Sequence, residues 1–391
     1  MKIGIATFGC DAGRSGIGQY LIHMVRGFVA AQPHHEYELL VSRGDIDTFA
    51  VPHDSLTQIC FSERMARPLR NIVWHQVTLP QLCRQRNHDV LFMPAANRRL
   101  PFWAPCPVVG TVHDLAPVHV AGKYDGWRQT YVRRVLPWLI RRLHRVVTVS
   151  EASKRDVVHY AKVPAERVHV IPNGVDHQAF HRLTPPQTAT VRARFGLDRP
   201  YLLYVSRLEH PGKNHVRLIE AFERFKLAHG GQHILVLAGP DKERAEEVHQ
   251  AAAQSPCAGD IKFTGFVSDA DLPALYAGAA GFIMPSLFEG FGIPVIEAMA
   301  CGVPVACSNV ASLPEVAGNA GVLFDPCDPS DIARGISRIL LDETTRRECI
   351  ERGLARSQRY SWQQAARETL TVLEQAAHET VEVGRRAVVH A

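Results

Sequence analysis

The chain has 391 residues, of which 46 % are hydrophobic and 21 % charged, with nine cysteines and a formal net charge of +5. That length suits two or three domains, and the composition is that of a folded protein, not a disordered one. No apolar run approaches the roughly 18 residues of a membrane span, and scattered cysteines without a C-x-x-C argue against a disulfide framework or zinc site and for a reducing compartment.

In chain order, Met1-Lys2-Ile3-Gly4-Ile5-Ala6 reads straight into a strand over Lys2–Thr7, unlike a signal peptide. A Gly-rich turn leads into a helix over Tyr20–Ala31, then strands at Tyr37–Ser42, Val90–Met93, Val108–Val112 and Val146–Ser150. A second set follows at Tyr201–Ser206, Ile234–Ala238, Ile261–Thr264, Gly281–Met284 and Val303–Ala306, with helices such as Val216–His229 and Asp271–Ala277 between. Short β-branched runs alternating with amphipathic stretches predict an α/β fold with parallel strands, one doubly wound unit in each half. The turn Ile171-Pro172-Asn173-Gly174-Val175-Asp176 and the polar stretch Thr184-Pro185-Pro186-Gln187-Thr188 place the boundary between the halves. The expected division is residues 1–178, residues 179–362, and a terminal segment 363–391, helical over Gln363–Ala377 and frayed from Glu382.

Three segments carry chemistry. The turn from Gly9 to Gly18 precedes a helix, and its glycines permit close backbone approach to an anion at the helix N-terminus. Its spacing is neither G-x-G-x-x-G nor G-x-x-x-x-G-K-[ST], which argues against a dinucleotide dehydrogenase and a P-loop enzyme, and a plain strand–helix turn stays open. Arg207 and Lys213 follow the first strand of the second half, at the sheet edge where ligands of open α/β sheets collect. Two fixed cations there can neutralise a diphosphate, and a solvated loop with casual charges is the plain alternative. The third segment is Glu289-Gly290-Phe291-Gly292-Ile293-Pro294-Val295-Ile296-Glu297-Ala298-Met299-Ala300-Cys301-Gly302. Pro294 suits the first position of a short helix and Gly302 its end, which puts Glu297 in the first turn and Glu289 in the loop before it. Glu297 there can grip hydroxyls or serve only as a partner of the helix dipole.

Glu289 and Glu297 form an E-x7-E motif, and the chain resembles the retaining, nucleotide-sugar-dependent glycosyltransferases of family 4. Ser15-Gly16-Ile17-Gly18, Val112-His113-Asp114, Val149-Ser150-Glu151, Ser206-Arg207-Leu208, Lys213-Asn214, Phe263-Thr264-Gly265-Phe266-Val267 and Leu313-Pro314-Glu315-Val316-Ala317-Gly318 fall in that family's order, over roughly residues 1–375. The resemblance implies the GT-B architecture: two Rossmann-like domains facing across a cleft, with a C-terminal helix crossing back to the N-terminal domain. It implies that Glu297 binds the donor ribose, that Glu289 lies beside the donor sugar, and that Arg207 and Lys213 stabilise the leaving diphosphate. It assigns His113 to the donor sugar, backbone N–H groups around Gly16 and of Gly290, Phe291, Gly292 and Ile293 to phosphate and sugar, and Gly265, Phe266 and Val267 to the base. The implied chemistry is front-face transfer with retention, without metal or cofactor. The texture is most similar to bacterial mannosyltransferases of polysaccharide assembly, so GDP-mannose is the first expected donor and a UDP-sugar such as UDP-glucose the second. The acceptor would be a glycan or lipid-linked oligosaccharide. A phosphorylase or sugar-nucleotide epimerase and a non-catalytic carbohydrate-binding scaffold are the rivals.

The charge is divided unevenly. Residues 1–180 carry 22 Lys and Arg against 14 Asp and Glu, a net of +8, and residues 181–391 carry 22 against 25, a net of −3. The surplus gathers in Trp127–Arg145, with Arg128, Arg133, Arg134, Arg141, Arg142 and Arg145, and in Arg64, Arg67, Arg70, Arg84, Arg86, Arg98 and Arg99. Two readings stand: contact with anionic lipid, or a helix whose apolar face packs in the core and whose arginines are solvated. Nucleic acid fits less well, because no recognised motif accompanies the charge. A cytoplasmic enzyme, peripheral on the inner face of the membrane under the first reading, is expected.

Overall fold

A computed structural model describes residues 1–13, 15–119 and 130–389, so Arg14, Trp127 and Arg128 lie outside the described residues. The chain forms two compact units. One is built from Met1–Val118, residues 130–174 and the chain from Trp362; the other centres on Val175–Ser361.

The first unit holds a seven-stranded sheet of β1 (Lys2–Ala6), β2 (Glu36–Ser42), β3 (Leu56–Phe61), β4 (Val90–Met93), β5 (Val108–Val112), β6 (Arg145–Thr148) and β7 (Val168–Val170) in the order β3-β2-β1-β4-β5-β6-β7. Every pairing is parallel. Strands β4 and β5 are buried on both faces, which is why they read as unbroken apolar runs. The order reverses beside β1, so the loops after β1 and β4 diverge and open a crevice at the strands' C-terminal edge.

The first helix starts at Gly16, four residues before the expected Tyr20, because Ser15 caps it: its hydroxyl accepts the Gly18 N–H at 3.3 Å. The terminal helix, Trp362–Val389, packs along this first helix. A Cβ on Gly27 would strike the Ala366 methyl, so the two backbones meet closely there. The Trp362 ring stacks on His23 at 4.7 Å, and His35 meets Glu374 at 2.9 Å. The helix runs to Val389, past the expected end at Ala377. A charged, weakly patterned helix is hard to bound from sequence alone.

The second unit has a six-stranded parallel sheet of β8 (Tyr201–Val205), β9 (Ile234–Ala238), β10 (Ile261–Gly265), β11 (Gly281–Met284), β12 (Val305–Ser308) and β13 (Gly321–Phe324), ordered β10-β9-β8-β11-β12-β13. Its reversal lies between β8 and β11. The segments after those two strands are the ones that carry Arg207, Lys213 and Glu289. Among the described residues, no helix is long and apolar enough to cross a membrane.

Candidate active site

In the second unit, backbone and side-chain hydrogen bonds lock the loops after β8 and β11 together. The Leu287 N–H donates to the Gly212 carbonyl at 3.0 Å. Asn214, buried and left-handed at φ 60°, donates its side-chain amide to the carbonyls of Pro285 at 2.9 Å and Pro326 at 2.7 Å. Tyr204, at the end of β8, donates its hydroxyl to the Lys213 carbonyl at 2.9 Å and lies 3.1 Å from the Ser286 hydroxyl. Burial pushes the Tyr204 phenol up to about 12, so it stays a neutral strut under the loops.

On this frame Lys213 Nζ meets Glu289 Oε1 at 2.7 Å, with both side chains mostly buried. Burial alone would pull the lysine's pKa down, but the Glu289 carboxylate, which also accepts its hydrogen bond, outweighs it and holds the ammonium above its usual range. Arg207 is close enough to oppose that charge, and its guanidinium is held by Glu209 at 3.1 Å. Ser312 is buried and donates to the carbonyls of Glu289 at 2.8 Å and Phe291 at 2.9 Å, pinning the Gly-rich loop that presents Glu289. Gly292 takes φ 106°, and a Cβ there would meet the Leu313 side chain at 2.7 Å. That conformation turns the loop into the helix Ile293–Ala300.

This helix departs from expectation at its start. It begins at Ile293, so Pro294 takes the second position and Glu297 lies beyond the first turn. Glu297 is therefore not a simple dipole partner. Its carboxylate instead accepts the Tyr276 hydroxyl at 2.8 Å. Burial pushes Glu297 up to about 7; the Tyr276 hydrogen bond works against that rise, and Asp269 adds to it. Tyr276 is itself buried, and its ring packs against Phe180 at 5.8 Å and Phe282 at 5.6 Å.

The structure thus brings Lys213, Glu289 and Arg207 together, while Glu297 sits with Tyr276. Gly265 has φ +65° with open space around it; Phe266 is exposed and Val267 buried. Gly239, which the motifs do not single out, is tightly constrained. At φ +146° a Cβ on it would collide with the Ser206 carbonyl, so only glycine lets the chain after β9 pass behind Arg207.

In the first unit, His113 follows β5 and is buried. Its Nε2 donates to the Pro94 carbonyl at 2.8 Å, and the ring meets Tyr20 edge-on at 4.8 Å. Burial lowers His113 to about 4, so the ring is neutral with Nδ1 as its acceptor. Gly16 opens the first helix, and the N–H groups of that turn are suited to an anion. Asp11 and Arg98, from the loops after β1 and β4, pair through two bonds of 2.5 and 2.8 Å. Among the described residues no three or more His, Cys, Asp or Glu side chains converge as metal ligands.

The two parallel-sheet units and the E-x7-E segment at the second sheet's reversal define a glycosyltransferase of the GT-B class. Residues 14–179 match the family described as Glycosyltransferase Family 4, and residues 188–356 match Glycosyl transferases group 1. O-antigen chain mannosyltransferase B of Escherichia coli is 30 % identical over 378 residues, covering 95 % of this chain and 98 % of that protein. The serotype-specific mannosyltransferase WbdA of Escherichia coli is 31 % identical over 285 residues, which is 71 % of this chain and 35 % of that longer protein. Anabaena HepE, solved with UDP and glucose, superposes with a TM-score of 0.73 over 98 % of this chain and all of that one, at 21 % identity. The chain belongs to the group 1, family 4 glycosyltransferases.

Proposed function

We propose that this chain transfers mannose from GDP-mannose, with retention of configuration and without a metal, to a hydroxyl of a glycan or lipid-linked oligosaccharide in polysaccharide assembly. The observation that carries the nucleotide-sugar reading is the grouping of Arg207, Lys213 and Glu289 on loops zipped together at the switch point of the second sheet. The mannose assignment rests on the 30 % identity with O-antigen chain mannosyltransferase B across nearly the whole of both chains.

In this reading Arg207 and Lys213 stabilise the negative charge that grows on the departing diphosphate, a task for cations fixed in place before the bond breaks. Lys213 suits it because its ammonium is held protonated. The diphosphate takes the proton of the attacking hydroxyl on the face it leaves. Glu289 faces the sugar ring and Glu297 accepts the ribose hydroxyls. His113 and the turn at Gly16 are assigned to sugar and phosphate, Gly290, Phe291, Gly292 and Ile293 to the same groups through their backbone, and Gly265, Phe266 and Val267 to the base.

A panel of sugar nucleotides tests the donor, and NMR of the product's anomeric proton tests retention. Turnover of GDP-mannose with loss of activity in Lys213→Ala is the expected result. Turnover of a UDP-sugar alone would overturn the donor, and an inverted product would overturn the mechanism.

A further inference from the structure

The first unit exposes apolar side chains where a helix normally buries them. The helix Pro68–Val73 continues through a wide turn over Trp74–Thr78 into the helix Leu79–Arg86. Trp74 and Leu79 face the core, but Leu69, Val73 and Val77 face outward at 80, 58 and 48 % exposure. The surface continues beyond these elements. Gln76 donates to the Leu100 carbonyl at 3.0 Å and accepts the Phe102 N–H at 2.7 Å, which ties the segment carrying Phe102 and Trp103 to this helical stretch, and both rings are about half exposed. Phe102 in turn meets the exposed Trp138 at 5.8 Å. Arginines frame the patch: Arg84 lies over Trp103 at 5.4 Å and Arg142 over Trp138 at 4.8 Å, with Arg67 just before the helix Pro68–Val73 and Arg70 within it.

Residues 64–88 contain five arginines and no carboxylate, and residues 130–145 contain five more and none. Arg86 is paired with Glu38 and Arg145 with Glu379, while Arg67, Arg70, Arg84 and Arg142 have no ion pair among the described residues.

We propose that this face docks on an anionic lipid bilayer, with Leu69, Val73, Val77, Phe102, Trp103 and Trp138 entering the interface and the arginines meeting the headgroups. Tryptophan, with an apolar body and one N–H, suits that depth, and arginine gains from negative surface potential. A second copy of the chain fits badly, since a two-fold contact would lay arginines on arginines with no carboxylate between. Nucleic acid gives the aliphatic side chains nothing to bind. The proposal is independent of the donor assignment.

The test is sedimentation of the full chain with phosphatidylglycerol-containing vesicles and with phosphatidylcholine vesicles. Selective binding to the first is expected, weakened by salt and lowered about fivefold for each of Arg70, Arg84 and Arg142 changed to alanine. Val73→Ser with Val77→Ser, both exposed and harmless to folding, should also lower it. Quenching by brominated lipid should fall in Trp103→Phe with Trp138→Phe. Equal binding to both vesicles, no binding, or binding unchanged in all these variants would overturn the proposal. So would a concentration-dependent dimer, without lipid binding, that Val73→Asp dissolves.

Discussion

The Tyr276 hydroxyl donates to Glu297 at 2.8 Å from a ring fixed between Phe180 and Phe282. One carboxylate oxygen is thereby held, which leaves the other to be presented in a set direction. The same bond lowers the glutamate's pKa against the burial that raises it. Tyr276→Phe removes both effects. It should weaken nucleotide binding at neutral pH about tenfold, the loss expected of a charge-assisted bond of 1.5–3 kcal/mol only partly replaced by water. The pH at which binding strengthens should also move upward. Calorimetric titration with GDP across pH 6–8 checks both, and a uniform loss with no change in pH profile would mean that Tyr276 acts by packing alone.

Glu297 has a consequence for stability with a definite sign. Its pKa is about 7 in the folded chain and near 4.5 when unfolded. Between those values the unfolded chain has released the proton and the native one has kept it, so native stability falls as pH rises from 4.5 to 7. By roughly 1.4 kcal/mol per unit, the accumulated cost above pH 7 is on the order of 3 kcal/mol. Glu297→Gln carries no such cost. Urea unfolding should show the variant close to the native chain at pH 4.5 and more stable by about that amount at pH 7.5, while its nucleotide binding is impaired.

The Lys213–Glu289 contact sets a second expectation. Glu289→Gln strands a mostly buried ammonium, and Lys213→Ala a mostly buried carboxylate, so each single change should cost about 3 kcal/mol. The double variant should cost much less than the two together, because neither charge is then left alone. A double-mutant cycle by urea denaturation measures the coupling. Additive losses would show that water already screens the pair.

Much of this was legible in the residues, unevenly. Strands β4, β5, β9 and β11 were found with their exact bounds, because parallel strands buried on both faces read as continuous apolar runs. The short strands β7 and β13 mix buried with half-buried positions, and β3, at the sheet's edge, has no fully buried residue, so their weaker pattern gave no signal. The E-x7-E segment and the cations after β8 pointed to the two loops that the structure locks together, and to the Lys213–Glu289 contact between them. Tyr276 and Ser312 were not found, and Asn214 was noticed only as part of a motif and not for its role, since each acts by reaching another segment: Glu297 from 21 residues away, the Glu289 carbonyl from 23, the Pro326 carbonyl from 112. Gly239 could be noticed as a glycine after a buried strand, but what demands it is the Ser206 carbonyl, placed there only by the sheet order.

Gly239→Ala tests that demand. The substitution adds one methyl group at φ +146°, against a backbone carbonyl that is itself part of the segment carrying Arg207. A flexible side chain could move aside; this backbone can do so only by displacing the loop. The strain of a non-glycine residue in that region is about 1–3 kcal/mol, before the collision is counted. The variant should therefore unfold at lower urea. It should also lose donor turnover under conditions where circular dichroism shows it fully folded, because relief of the clash shifts Ser206 and Arg207. A variant that keeps native turnover while folded would mean the loop yields without moving the guanidinium. Phe266→Ala, at an exposed position on the next loop, is the control: it should leave stability unchanged within about 0.5 kcal/mol and alter nucleotide affinity alone.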